Sequence, residues 1–310
     1  MLKICRVLLL CLFIAAKAGA QITVTDPKKY NDIKNGITYI IVKTMNFPGA
    51  NKYLEALQKN WTLTKEVHYL PYDKAGIVLK PNDSFLRFEA LTLSSGNVTN
   101  IFYYLSFWTM TEKDIRKNRS LDEARGDEIA RVILSVNIRE ALSPRKFFEN
   151  TDFHGSGILF NWSPGMLKNY MQQMTRLLNA GEKLKAKDDI TNKTALAKLS
   201  IQTLYVPDFC LKKTNMFTGK VKEAAEDDNR FKDYHYAYKV ITTDQLDEMI
   251  LKGSEPVYYL LFIKDSATKL VCVINSQTGE TIYSRNTNMA YNLKAGDLDD
   301  LYDEIKQSGR

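Results

Sequence analysis

Apolar positions along this chain recur at two spacings. Ile37-Thr38-Tyr39-Ile40-Ile41-Val42 is rich in β-branched residues and reads as a buried strand. Asn46-Phe47-Pro48-Gly49 follows, then Ala50, Tyr53, Leu54, Leu57 and Trp61 at helical spacing, then a strand from Lys65 to Leu70 closed by Pro71. The pattern returns near residue 155. Ser156 to Phe160 is a short strand candidate, and after Asn161-Trp162-Ser163-Pro164-Gly165 the residues Leu167, Tyr170, Met171, Met174, Leu177 and Leu178 form an apolar helical stripe. Ser163 suits the N-cap of that helix, Pro164 its first turn and Gly181 its end. Ser200 to Val206 then reads as a strand closed by Pro207.

The two stretches predict an internal duplication. Pro48-Gly49 matches Pro164-Gly165, and Tyr69-Leu70-Pro71 matches Tyr205-Val206-Pro207. Ile101 to Phe107 resembles Pro256 to Phe262, and each is followed by a further strand, Ile129 to Val136 and Leu270 to Ile274. The fold class expected is α/β (α+β): two similar units, residues 21–150 and 151–310, each a mixed sheet with a strand–helix–strand core, added antiparallel strands, and helices packed on the sheet. Turns such as Lys264-Asp265-Ser266-Ala267 join the antiparallel additions. Further helices are expected from Thr243 to Leu251, opened by a Thr242–Gln245 capping box, and from Asp297 to Gln307.

The amino terminus changes the picture of where the chain works. Lys3 and Arg6 precede an apolar run from Val7 to Ala16, and Ala18-Gly19-Ala20 fits small-residue cleavage, so residues 1–20 read as a secretory signal peptide with Gln21 as the new N-terminus. A buried N-terminal helix, or a lipoprotein acylated at Cys11, are the other readings. No later stretch approaches the length of a spanning helix. Lys3, Arg6 and Lys17 leave with the signal, so the net charge falls from +7 to +4, with signs mixed along the chain, which argues against nucleic-acid binding. The expected location is periplasmic or extracellular, with association to the cell envelope as the alternative. Cys210 and Cys272 remain after cleavage; export permits a disulfide between them, and two buried thiols on strands is the alternative.

Chemistry is sparse. His68, His154 and His235 sit in no metal-ligand spacing, no phosphate loop occurs, and His154-Gly155-Ser156-Gly157 is only half of a nucleophile elbow. No catalytic residue, metal site or cofactor is assigned. The Pro-Gly helix starts offer backbone N–H groups to an anion, although ordinary helix initiation explains them. Glu226-Asp227-Asp228 lies in a polar insertion and reads as solvated loop rather than a Ca²⁺ site. Tyr234-His235-Tyr236-Ala237-Tyr238 reads as a strand with Tyr234, Tyr236 and Tyr238 on one face, either core or an exposed binding surface.

Lys269 to Tyr283, with its Thr278-Gly279-Glu280 turn between two apolar strands, resembles the closing hairpin of bacterial envelope-assembly lipoproteins related to the curli secretion channel. Gln directly after the signal also resembles exported proteins of Bacteroidetes-type bacteria. The resemblance covers some 60 residues and implies an interaction domain without catalytic residues. The expected function is therefore a non-enzymatic exported module that binds other envelope or secreted proteins. A small-ligand binder using a cleft between the units and a hydrolase of unrecognised class are the alternatives.

Overall fold

A computed structural model describes residues 21–42, 50–71, 80–95, 98–121, 123–137, 141–149, 158–185, 189–215, 218–223, 229–265, 268–288 and 290–309. The described strands build two six-stranded mixed sheets covered by helices, the α/β class expected. The first sheet holds β1 (Ile22–Val24), β2 (Ile37–Val42), β3 (Glu66–Pro71), β4 (Ser84–Ser95), β5 (Val98–Thr109) and β6 (Asp127–Leu134), in the order β3-β2-β4-β5-β6-β1. Strand β2 is parallel to β3 and β4, and the other pairs are antiparallel. Helix α1 (Tyr30–Ile33) lies between β1 and β2, and α2 (Ala50–Lys59) makes the crossover from β2 to β3.

Short helices α3 (Glu112–Arg116) and α4 (Pro144–Glu149) flank β6, and α5 (Pro164–Ala180) leads to the second sheet. That sheet holds β7 (Ile190–Thr191), β8 (Leu204–Pro207), β11 (Tyr238–Ile241), β12 (Tyr258–Lys264), β13 (Thr268–Asn275) and β14 (Thr281–Asn288), in the order β11-β8-β12-β13-β14-β7. Strands β9 (Lys213–Thr214) and β10 (Val221–Lys222) form a separate small pair. Helix α6 (Lys193–Leu196) follows β7, α7 (Thr243–Lys252) joins β11 to β12, and α8 (Ala295–Ser308) closes the chain. Thr242 and Gln245 make the expected capping box of α7.

Helix α5 is the hub. Ser163 caps it, Pro164 opens it, and Gly181 ends it at a φ of 68°. Met166, Leu167, Met171, Met174, Leu177 and Leu178 are all buried, each stabilising the fold by about 1.5–3 kcal/mol. Toward the first sheet, Thr175 meets Thr62 at 2.8 Å, and Tyr53 of α2 stacks on Trp162 just before the helix. Toward the second, the Tyr259 hydroxyl donates to Asn169 (3.1 Å), and Gln173 exchanges hydrogen bonds with Thr281. The turn between β13 and β14 fits against the helix only because residue 279 is glycine: its φ is 70°, and a Cβ there would lie 2.3 Å from the Asn169 carbonyl. Helix α5 falls within residues 151–310 by sequence, yet it packs on elements of both sheets, whose buried residues join in one cluster.

The sequence alignment of the two halves is not the one the sheets adopt. Residues 101–107 lie in β5, fourth in its sheet, whereas 257–262 fall largely in β12, third in the other. Strand 66–71 is an edge strand, while its expected counterpart β8 is second from an edge. Leu159 makes an isolated bridge to Val136 rather than a strand matching β2. Pro48 and Gly49 lie outside the described residues. Proline ends strands at any sheet position and recurring apolar runs follow any buried strand, so such matches do not fix sheet position. By position, β3-β2-β4-β5-β6-β1 corresponds to β11-β8-β12-β13-β14-β7, with the same succession of two parallel and three antiparallel pairings.

Candidate functional site

Strands β4 and β5 outrun their sheet. Strand β2 pairs with β4 only from Ser84 to Arg87, and β6 pairs with β5 only from Tyr103 to Thr109. Beyond those limits the two strands pair with each other as a ribbon. Directly opposed residues place Leu93 beside Asn100, Leu91 beside Phe102, Glu89 beside Tyr104, Arg87 beside Ser106 and Phe85 beside Trp108 on one face. The other face carries Leu86, Phe88, Tyr103, Leu105 and Phe107 into the main core, with Phe88 edge-on to Phe147 and Trp162.

The outer face changes character along its length. At the ribbon, Leu91 is 41% and Leu93 50% exposed. Phe102 lies parallel to Tyr104, ring centres 6.5 Å apart. Toward the sheet body, Arg87 binds Glu89 (2.7 Å) and lies over the Trp108 ring (5.0 Å), while the Trp108 indole N–H donates to the other Glu89 oxygen (3.0 Å). Arg131 lies 4.3 Å from the Tyr104 ring centre and 3.6 Å from Glu128. Burial pushes the Glu128 carboxyl up, Arg131 pulls it part of the way back, and Glu89 adds to the rise. Both Glu89 oxygens are engaged and Glu128 faces its own arginine. The face carries paired charges and aromatic rings. Beyond it, Phe85 packs with Ile41, Leu70, Met110 and Leu121 in a small second core.

The tyrosines singled out by sequence do not form a strand face. The strand begins only at Tyr238; Tyr234 is buried, Tyr236 half-buried and Tyr238 exposed. A 3-10 turn at Asn229–Phe231 precedes them and folds the segment on itself, so Tyr234 sits edge-on to Tyr236 and Tyr238 while Phe231 stacks on Tyr238 at 4.1 Å. Tyr236 also packs on Tyr302 of α8. The cluster is mainly an internal seam that leaves Tyr238 at the sheet edge.

Cys210 and Cys272 are free thiols, both fully buried. Cys210 lies in a 3-10 turn, not a strand, and donates to the Leu260 carbonyl (3.7 Å); Cys272 lies 3.3 Å from the Ser284 hydroxyl. Burial pushes the Cys272 thiol up to about 11. His235 lies against Tyr302, so the structure does not bring it into a cysteine–histidine pair. At the N-terminus of α5, the free N–H of Gly165 is taken by the buried Asp247 carboxylate (2.8 Å), which also accepts from Ser163. An internal carboxylate thus fills the position an anion would take. His154-Gly155-Ser156-Gly157 and Glu226-Asp227-Asp228 lie outside the described residues.

Beneath α8 the second sheet buries two opposed lysines. Lys269 pairs with Asp297 in the first turn of α8 (2.7 Å). Lys264, 8% exposed, donates to the Thr214 hydroxyl and lies 4.8 Å from the Phe160 ring centre. Burial alone pushes its amine down to about 8. An open groove of about 410 Å³ runs between the end of α5 and β7, lined by Gln173, Arg176, Asn192, Lys193, Glu280 and Thr281. Its polar groups are largely mutual partners, as in Asn192 to Glu280 at 2.9 Å. Among the described residues no cluster of His, Cys, Asp and Glu is arranged to hold a metal ion, and no helix is long and apolar enough to cross a membrane.

No family model, curated protein or solved structure matches this chain.

Proposed function

We propose that this chain is an exported, non-enzymatic interaction module that binds other envelope or secreted proteins through the outer face of its first sheet. The observation that carries this reading is the β4–β5 ribbon. Leu91 and Leu93 stand exposed at the end of a face that continues through Phe102, Tyr104, Trp108, Arg87 and Arg131. Aromatic residues and arginine are the types enriched at interface centres, and exposed apolar side chains such as Leu91 and Leu93 suit protein contact. The charge–apolar–small order of residues 1–20 supports export. The β13–β14 hairpin around Thr278-Gly279-Glu280, the segment that resembles envelope-assembly lipoproteins, supports an envelope setting. The shared strand order of the two sheets supports an internal duplication in the register given above.

The test is cross-linking of the exported protein in its own host, comparing wild type with a Leu91→Asp/Leu93→Asp variant. Both side chains are exposed, so folding should survive. The expected result is loss of the cross-linked complex, while Ile201→Asp, at an 88% exposed site elsewhere, retains it. Complexes surviving equally in all three proteins would overturn the assignment of this face.

A further inference from the structure

Gln21, the residue expected to become the N-terminus, is 0% exposed. Its carbonyl accepts from the Ile133 N–H (2.8 Å), and its backbone lies beside the Cys272 thiol of β13. The residue is therefore held where the edge of the first sheet meets the second. Its side-chain amide is buried too, yet among the described residues neither Nε2 nor Oε1 has a hydrogen-bond partner. Glutamine is a poor choice for such a place: a buried amide without partners gives up its hydration for nothing.

Cleavage after Ala20 makes the mismatch worse. It turns a neutral peptide N–H into an α-amine, which is ordinarily protonated at neutral pH. The neighbouring Cys272 thiol is held protonated by its burial and supplies no counter-charge. One intramolecular reaction open to an N-terminal glutamine removes the charge and the unpartnered Nε2, leaving one carbonyl oxygen of the amide. The α-nitrogen attacks the side-chain Cδ, the N–Cδ bond forms, the Cδ–Nε2 bond breaks, and Nε2 leaves as ammonia. The product is a neutral lactam that keeps one N–H. No oxidant, metal or co-reactant is needed.

We propose that Gln21 of the mature protein is a pyroglutamate, closed after signal removal and before β1 docks between the sheets. This rests on the export reading. The burial of a glutamine amide with no partners is what distinguishes it from ordinary N-terminal exposure, where cyclisation would be incidental.

The experiment uses the protein expressed from its full 310-residue sequence and recovered from the exported fraction. Amines are labelled on the intact protein, which is then digested at residues other than lysine, and the peptide that begins at Gln21 is sequenced by tandem mass spectrometry. The expected result is a peptide labelled at lysine side chains only, with no label on its N-terminal nitrogen, and lighter by one ammonia than the linear form. A labelled, linear Gln21 would overturn the proposal while leaving cleavage at Ala20 intact. A chain starting at Met1, or acylated at Cys11, would overturn the export reading and the proposal together. A Gln21→Ala protein keeps the amine and is expected to melt below wild type; equal melting would show that a charged terminus is tolerated there and would also overturn the proposal.

Discussion

Lys264 offers the sharpest test of the packing between the sheets and α8. Its ammonium ends β12, almost fully buried, with a hydroxyl and an aromatic ring as partners. Asp297, in the first turn of α8, is engaged by Lys269 on the opposed strand. The fall of its amine from the ordinary lysine value to about 8 corresponds to about 3 kcal/mol of unfavourable burial of the charged form. The sign follows from proton binding. Between pH 8 and the ordinary lysine value the unfolded chain holds more protons at this site than the folded one, so stability rises with pH through that window. The cost is present in full below pH 8. Lys264→Met fills the same space without the charge and loses the Thr214 hydrogen bond, worth about 1 kcal/mol, so a net gain of about 2 kcal/mol is expected at pH 7. Urea unfolding of both proteins at pH 7 and pH 10 measures it. The variant should unfold at higher urea at pH 7, and its advantage should shrink at pH 10. A variant less stable than wild type at pH 7, or an advantage independent of pH, would refute the account of Lys264 as an uncompensated buried charge.

Two further outcomes follow from named contacts. Burial alone would raise the Asp114 carboxyl, but hydrogen bonds from Thr111, Arg119 and the Gly126 N–H outweigh it and hold the group well below the usual carboxylate range. Asp114→Asn should cost about 1–3 kcal/mol at neutral pH, with a penalty that fades as pH falls below the ordinary aspartate value, measured by thermal melting against pH. Gly279→Ala combines a left-handed backbone with a Cβ 2.3 Å from the Asn169 carbonyl, and should lower stability by more than the roughly 1 kcal/mol of the backbone change alone, read as a fall in the denaturation midpoint at unchanged slope.

Much of the fold was readable from residue pattern because its causes are local. Ser163, Pro164 and Gly181 mark the ends of α5, and Thr242 with Gln245 starts α7, since capping needs only neighbouring groups. Strand β4 escaped the reading although Arg87, Glu89, Leu91 and Leu93 alternate with Leu86, Phe88 and Ala90. Its outer face mixes Phe85, Leu91 and Leu93 with Arg87 and Glu89, which blurs the period of two. The candidate face was missed with it, because Glu89 meets Trp108 and Tyr104 only once β4 is laid against β5. The landmarks that suggest the repeat are prolines and tyrosines, and strand order in a sheet is not strand order in the chain. The tyrosines at 234–238 alternate like a strand, but the turn at Asn229–Phe231 curls them onto one another.

The placement of α5 bears on how the molecule would transmit an event at its surface. One helix supplies the inner cover of the first sheet and a cover of the second, so neither half can open without disturbing the seat of the other. Local opening free energies are then linked: a partner that tightens β4 and β5 should slow amide exchange in β12 to β14, across α5, with no contact there. Severing the chain before Ser163 would strip α2 of the helix packed on it and part Thr62 from Thr175, making two incomplete pieces rather than two modules. If the chain did arise by repetition, it has since become thermodynamically indivisible, with the helix between its halves acting as the common keystone.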